Sequence, residues 1–251
     1  MKKSWLWALG LGSYLVFLVQ TLPASMLVRF VSLPQGVSLG AVSGTWQQGQ
    51  VASVRIGNWQ LPALSWQLSL ADVWRGQIGY ELSLGSSELA TQPSAVVQGR
   101  VGMSSMVLQR ADVRVPIRWV LPNVTLPMQM DATGDIVVNV TEFSSGQPYC
   151  SSLQGTASWQ DARFQSPIGW LDLQSIQGAL SCQQGNLQLV TAANNALGAA
   201  LTVDLLADRY QINGTLQPAS TLPREVHQAM QFVGPQDSQG RYVMQLAGQI
   251  R

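Results

Sequence analysis

His227 is the only histidine in the chain, so any Ser–His–Asp relay would have to run through it. No serine lies in a G-x-S-x-G turn. The 13 acids are scattered, and no pair of them is placed for general acid–base work. No glycine-rich loop stands ahead of a helix to cradle a phosphate. His227 therefore reads as a surface or packing residue. The chain reads as no enzyme, without cofactor or metal. Three Asn-x-Thr triplets, at Asn123, Asn139 and Asn213, match the glycosylation pattern. In a chain rich in these residue types they read as chance, the last as a hairpin turn.

The elements that would carry any chemistry are set by the bulk of the chain. Of 251 residues, 46% are hydrophobic and only 11% charged, with a net charge of +1. An ordinary soluble protein carries about 25% charged residues. No basic patch exists, so nucleic acid is excluded as a partner. Gln, Ser, Thr and Asn solvate the surface instead. A weakly charged surface suits a protein held at a membrane or inside an assembly.

The chain opens "MKKSWLWALGLGSYLVFLVQTLPASMLVRF". After Lys2 and Lys3 no charge occurs until Arg29. A bilayer core needs about 20 apolar residues as helix, and the segment from Ser4 to Val28 exceeds that. Trp5 and Trp7 suit the aromatic belt, and Leu6, Leu15, Val16, Phe17, Leu18 and Val19 the hydrocarbon. A cleaved signal peptide is the alternative. Its best cut, after Ala24, has Leu22 and Pro23 where small residues belong. The expectation is an uncleaved anchor with the N-terminus in the cytoplasm. Residues 1–30 would be stub and transmembrane helix, and residues 31–251 a β-rich domain on the far side.

Cys150 and Cys182 both fall in that exported part. An even count in an oxidising compartment reads as one disulfide, worth about 3 to 4 kcal/mol in the chain-entropy model. Two buried free thiols are the alternative. No C-x-x-C or Cys/His spacing supports a metal or redox role.

Period-two alternation fills the exported part. Ala52, Val54 and Ile56 share a face against Ser53 and Arg55. After Pro62, Leu64, Trp66, Leu68 and Leu70 oppose Ser65, Gln67 and Ser69. The same rule holds for Ile136 to Val140, Leu201 to Leu205, Tyr210 and Ile212, and Tyr242 to Leu246. Such segments are half-buried strands. Gln184-Gly185, Asn213-Gly214 and Gln239-Gly240 read as turns, and the whole as an antiparallel meander. Helices are few and short: residues 70–76, 116–122 and, best supported, 221–234. Trp66 belongs to a buried strand face, while Trp46 and Trp59 adjoin glycines where the parity resets.

An echo links "GTWQQGQVASVRIGNWQL" from Gly44 to "GTASWQDARFQSPIGWLDL" from Gly155. It divides the exported part into two similar sheet halves, 36–143 and 150–251, joined at residues 141–149. A sheet continuous across that joint is the alternative.

These features resemble a known family. The carriers are the basic N-terminus with one span, "VSGTWQQGQVASVRIGNWQLPALSWQLSLADVWRGQIGYEL", "CSSLQGTASWQDARF", "GALSCQQGNLQL", "YQINGTLQPASTLP" and "FVGPQDSQGRYVMQLAGQI". The chain looks like protein N of the bacterial type II secretion system. The sheet pattern is also similar to the AsmA-like envelope proteins. The resemblance implies a mainly β fold: an N-terminal transmembrane helix, then a curved, mostly antiparallel sheet forming a half-barrel or groove, with a few short helices. It implies an accessory inner-membrane component with a periplasmic domain. Its partners would be other inner-membrane and periplasmic secretion components and the inner membrane itself. The alternative it implies is a lipid-binding or lipid-transfer groove.

Overall fold

The computed structural model of the chain describes residues 7, 10–14, 17–18, 20–30, 34, 36–86, 89, 91–103, 105–123, 131–166 and 169–249. The fold is mainly β. Chain order runs β1 (Val37–Leu39), β2 (Val42–Gly44), β3 (Gln48–Val51), β4 (Val54–Ile56), β5 (Trp59–Leu61), β6 (Leu64–Ser69), β7 (Gln77–Leu84) and β8 (Ser94–Gly102). It continues with β9 (Met106–Pro116), β10 (Ala132–Ser145), β11 (Cys150–Ser166), β12 (Gly169–Gln183), β13 (Asn186–Thr191), β14 (Ala200–Leu205), β15 (Arg209–Leu216) and β16 (Tyr242–Gln249). Residues 7, 10–14, 17–18 and 20 are helical, and further helices are α1 (Ala24–Phe30), α2 (Ile117–Val120) and α3 (Arg224–Ala229). β1, β4 and β5 form a small sheet. The other strands make one 13-stranded antiparallel sheet, in sequence order from β2 to β16.

The alternation has a simple consequence in this topology. Residues directly opposite in a ladder share a face. One register row crosses every strand of the large sheet: Gly44, Gly49, Trp66, Leu82, Val97, Ala111, Val140, Gly155, Leu180, Leu189, Val203, Ile212 and Leu246. It contains no polar side chain. The adjacent row, on the other face, runs Ser43, Gln50, Ser65, Ser83, Val96, Asp112, Asn139, Thr156, Ala179, Val190, Thr202, Asn213 and Gln245. At about 4.8 Å between strands, the apolar face extends for roughly 58 Å.

Among the described residues no second sheet of matching size packs on that face. The accessible surface is 16712 Å², where the usual scaling for this mass gives roughly 11,000 Å². Most apolar side chains are therefore only half-buried. The buried ones are few and spread along the sheet, with Ala111 of β9 near its middle. Val226 of α3 and Leu216 of β15 are both buried, as are Ala162, Leu171 and Leu173 in β11 and β12.

Large rings solve part of the exposure problem by lying over glycines of the neighbouring strand. Trp66 faces Gly49, Tyr80 faces Gly99 and Tyr210 faces Gly248. A Cβ on these glycines would stand 2.5 Å from Trp66 Cζ2, from Tyr80 Oη and from Tyr210 Oη respectively. The glycines thus supply space, and each ring buries its face against bare backbone. The Tyr80 hydroxyl is buried in this way without a hydrogen-bond partner among the described residues. Burial pushes its pKa above the usual 10.0. A group whose folded pKa is raised keeps its contribution below the unfolded pKa and loses it as pH rises. Tyr80→Phe is expected to leave stability at neutral pH unchanged or higher. It should also reduce the loss of stability between about pH 8 and about pH 11, read by urea unfolding at both.

Several readings of the sequence need correction. Ala52, Val54 and Ile56 do not share one strand face. The chain bends at Ala52–Ser53 and leaves the large sheet for the small one, so Val51 and Val54 are buried while Ala52 and Ile56 are exposed. Asn213-Gly214 is not a turn; it lies inside β15, where a Cβ on Gly214 would strike the backbone of Ala200 and Leu201. The two echoed segments occupy different elements. The first spans the β2–β3 turn and three short strands, and the second begins within the long β11. Gln184-Gly185 and the residues around Gln239-Gly240 are turns as expected, and the three short helical segments form where the prolines and Gly76 place them.

A line of irregularity crosses β10, β11 and β12. Register shifts occur beside Gly134 and Ala162, with positive φ at Gly134 (106°), Asp161 (49°) and Gln174 (62°). Each extra residue resets the parity, so Leu173 and Ile176, three apart, both serve the apolar side. Bulges of this type bend a strand and increase its twist.

Candidate interaction surface

Among the described residues no group of histidine, cysteine and acidic side chains could hold a metal ion. His227 sits in α3, where its carbonyl accepts a hydrogen bond from Tyr242 Oη at 3.4 Å. A hollow of about 370 Å³ on the polar face is lined by Ser43, Gln48, Gln50, Ser65, Gln67 and Glu81. Its one acid, Glu81, accepts from Gln98 Nε2 at 3.1 Å, and no base faces a nucleophile there.

The cysteines are joined. Cys150 and Cys182 form a disulfide with Cα atoms 6.1 Å apart, and Cys150 is only 1% exposed. The bond is part of a wider tie between hairpin ends. The backbone N–H groups of Tyr149 and Cys150 donate to Gly185 O, at 3.0 and 3.2 Å. Tyr149 Oη donates to Leu206 O at 2.9 Å. The β10–β11, β12–β13 and β14–β15 turns are thereby held at one end of the sheet.

Of the expected anchor, Trp5, Leu6, Leu15, Val16 and Val19 lie outside the described residues. Trp7, Phe17 and Leu18 are described as helical and exposed. Among the described residues no helix is long and apolar enough to cross a membrane.

The two edges of the large sheet differ. β2 is three residues long. It is covered: α1 packs beside it, Pro23 bridges to Thr45, and Trp46 N–H donates to Leu22 O at 3.2 Å. β16, the other edge, has eight residues, Tyr242–Gln249. Among the described residues only its start is covered, where Val243 N–H donates to Pro235 O at 2.9 Å. That loop is set by Asp237, whose carboxylate accepts from Gln239 N–H and Arg241 N–H at 2.8 and 2.9 Å. The Arg241 hydrogen bond is the main reason its carboxyl is held below the usual range.

Since Val243 N–H points away from β15, alternation points the N–H and C=O of Gln245, Ala247 and Gln249 the same way. None of these has a partner among the described residues. The strand reads "YVMQLAGQ", with no charge, proline or bulge to blunt it. The topology places this strand at the end of the sheet order.

The sequence profile of type II secretion system (T2SS), protein N, matches residues 35–245. The chain belongs to the type II secretion system protein N family. It is 32% identical to type II secretion system protein N of Aeromonas hydrophila over 97% of both chains. It is 28% identical to the protein of that name from Vibrio cholerae serotype O1, over 91% of both. The Klebsiella pneumoniae protein N is 27% identical, over 91% of this chain and 88% of the relative. No solved structure matches. The family match ends at residue 245, halfway along β16, so the open edge lies at the border of the region the family shares.

Proposed function

We propose that the chain is an accessory component of the type II secretion apparatus, and that it works by protein–protein docking through β16. The observation that carries this is the contrast of edges: one short and covered, the other long, uncharged and open. Natural sheets normally blunt such an edge, because unpaired N–H and C=O groups template pairing with another chain. An edge kept open offers strand addition, in which main-chain hydrogen bonds supply affinity and alternate side chains supply selectivity. The partners are other components of the same machine.

The N-terminal segment acts as the anchor, with the sheet on the periplasmic side of the inner membrane. The uncharged run from Ser4 to Val28, the lysines before it and the disulfide beyond it support this placement.

Proline at an outward-facing position tests the docking. In Ala247→Pro the lost N–H is not one that bonds β15. The variant should keep its thermal midpoint yet lose most co-purification with inner-membrane secretion components after crosslinking in cells. Unchanged recovery of those components, or recovery of lipid with no secretion component, would overturn the proposal.

A further inference from the structure

In an antiparallel meander the connections alternate between two ends. One end carries the β2–β3 turn (45–47), the β6–β7 connection (70–76) and the β8–β9 turn at Met103, followed by the three tied turns. The other end carries the small sheet, α2 and α3. The residues just before α1 are fixed to the first of these ends. Pro23 bridges to Thr45, and Leu22 O accepts from Trp46 N–H. The chain at Leu22 and Pro23 therefore meets the sheet at this end.

The turns nearest that point are apolar at their tips. Trp74 is 72% exposed and Val73 54%, while Met103 is fully exposed and Met106 41%. The two turns are neighbours: a Cβ on Gly102 would lie 3.6 Å from Gly76 O, and Arg100 reaches Asp72 at 3.7 Å. The Arg75 guanidinium lies 4.3 Å from the Trp74 ring centre. Both arginines share the single carboxylate of Asp72, which leaves the tip with one positive charge in excess. Counting strands at about 4.8 Å each, all of this lies within roughly 25 Å of Pro23. Farther along the same end the turns become polar, with Gln147, Gln184 and Asp208 at their tips. The apolar tips are thus confined to the corner where the N-terminal segment joins.

Tryptophan beside arginine, with flexible methionine and valine around them, suits the layer between lipid headgroups and acyl chains. The ring and thioethers enter the boundary while the guanidinium stays with the headgroups. We propose that this corner, built from Val73, Trp74, Arg75, Met103 and Met106, rests in the interfacial layer of the bilayer that the N-terminal segment enters. The contact would fix the tilt of the sheet on the membrane. It rests on the anchor reading above, and adds a second, independent membrane contact made by the folded sheet.

The test uses the full chain in vesicles of phosphatidylethanolamine and phosphatidylglycerol. Trp74→Cys and Met103→Cys carry an environment-sensitive fluorophore, and nitroxide lipids serve as quenchers. Trp170→Cys, at the opposite end and 51% exposed in the native chain, is the comparison site. All three replace exposed side chains, and thermal melts check that each variant folds. The expected result is co-flotation of protein with vesicles, and quenching at 74 and 103 severalfold above that at 170. Flotation with equal quenching at all three sites, or stronger quenching at 170, overturns the interfacial contact and leaves the anchor standing. Failure of the folded full chain to float removes the anchor reading, and this contact with it.

Discussion

Cys182→Ser lowers the stability of the protein by about 2 to 5 kcal/mol, the range seen when a native disulfide is lost. For a chain of this size that corresponds to a fall in thermal midpoint of about 5 to 15 °C. Two effects add. The first is the lost constraint on the unfolded chain between residues 150 and 182. The second is local. Cys150 is almost fully buried, so its freed thiol stays beneath the tie that Tyr149 and Gly185 make between hairpin ends. In a sheet without a second layer, little else holds those ends together. Calorimetry of the variant against the parent, both non-reduced, gives the number. A midpoint within about a degree of the parent would show that the backbone ties alone suffice.

Gly99→Val is the second large effect. A Cβ there would stand 2.5 Å from Tyr80 Oη and 2.5 Å from Val107 O. The ring can swing away only by exposing its face, and the carbonyl belongs to the paired strand β9. Overpacking of this sort destabilises by about 1 to 3 kcal/mol, occasionally more. Gly102→Ala is the natural comparison, since its nearest neighbour would be 3.6 Å away. It should be close to neutral. Chemical denaturation of the two variants decides the matter, and equal midpoints would mean that the ring over Gly99 stabilises nothing.

Much of this architecture is legible in the residue order. Alternation from Leu64 to Leu70 or from Leu201 to Leu205 can be satisfied only by a strand with one wet face. The proline-bounded Ile117–Val120 and the run after Pro223 have room for a turn or two of helix and nothing longer. What is not legible depends on partners far along the chain. Gly49, Gly99 and Gly248 look like strand breakers until register sets each opposite a ring. Gly214 looks like a turn beside Asn213 because its true reason, the close backbone of Ala200, lies in another strand. The departure of the chain at Ala52–Ser53 is invisible because Val51, Val54 and Ile56 would each suit either sheet. Likewise the corner at Trp74 and Met103 needs the turns to be brought side by side. Tryptophan and methionine in separate connections carry no signal of that neighbourhood.

The strictly sequential order of the large sheet bears on how such a molecule comes into being. Apart from the excursion of β4 and β5, each strand pairs with the one made just before it and the one made just after. Contacts of this kind are short in sequence separation, and they close quickly. A chain delivered N-terminus first can therefore add strand upon strand as each arrives, with no need to wait for its far end. The free edge travels with the growing sheet, and every strand from β3 onward occupies it for a moment before being paired. Among the described strands, β16 is the last to arrive. In that history an incoming partner strand does what each successive piece of the chain has already done: it extends a template left waiting by its predecessor.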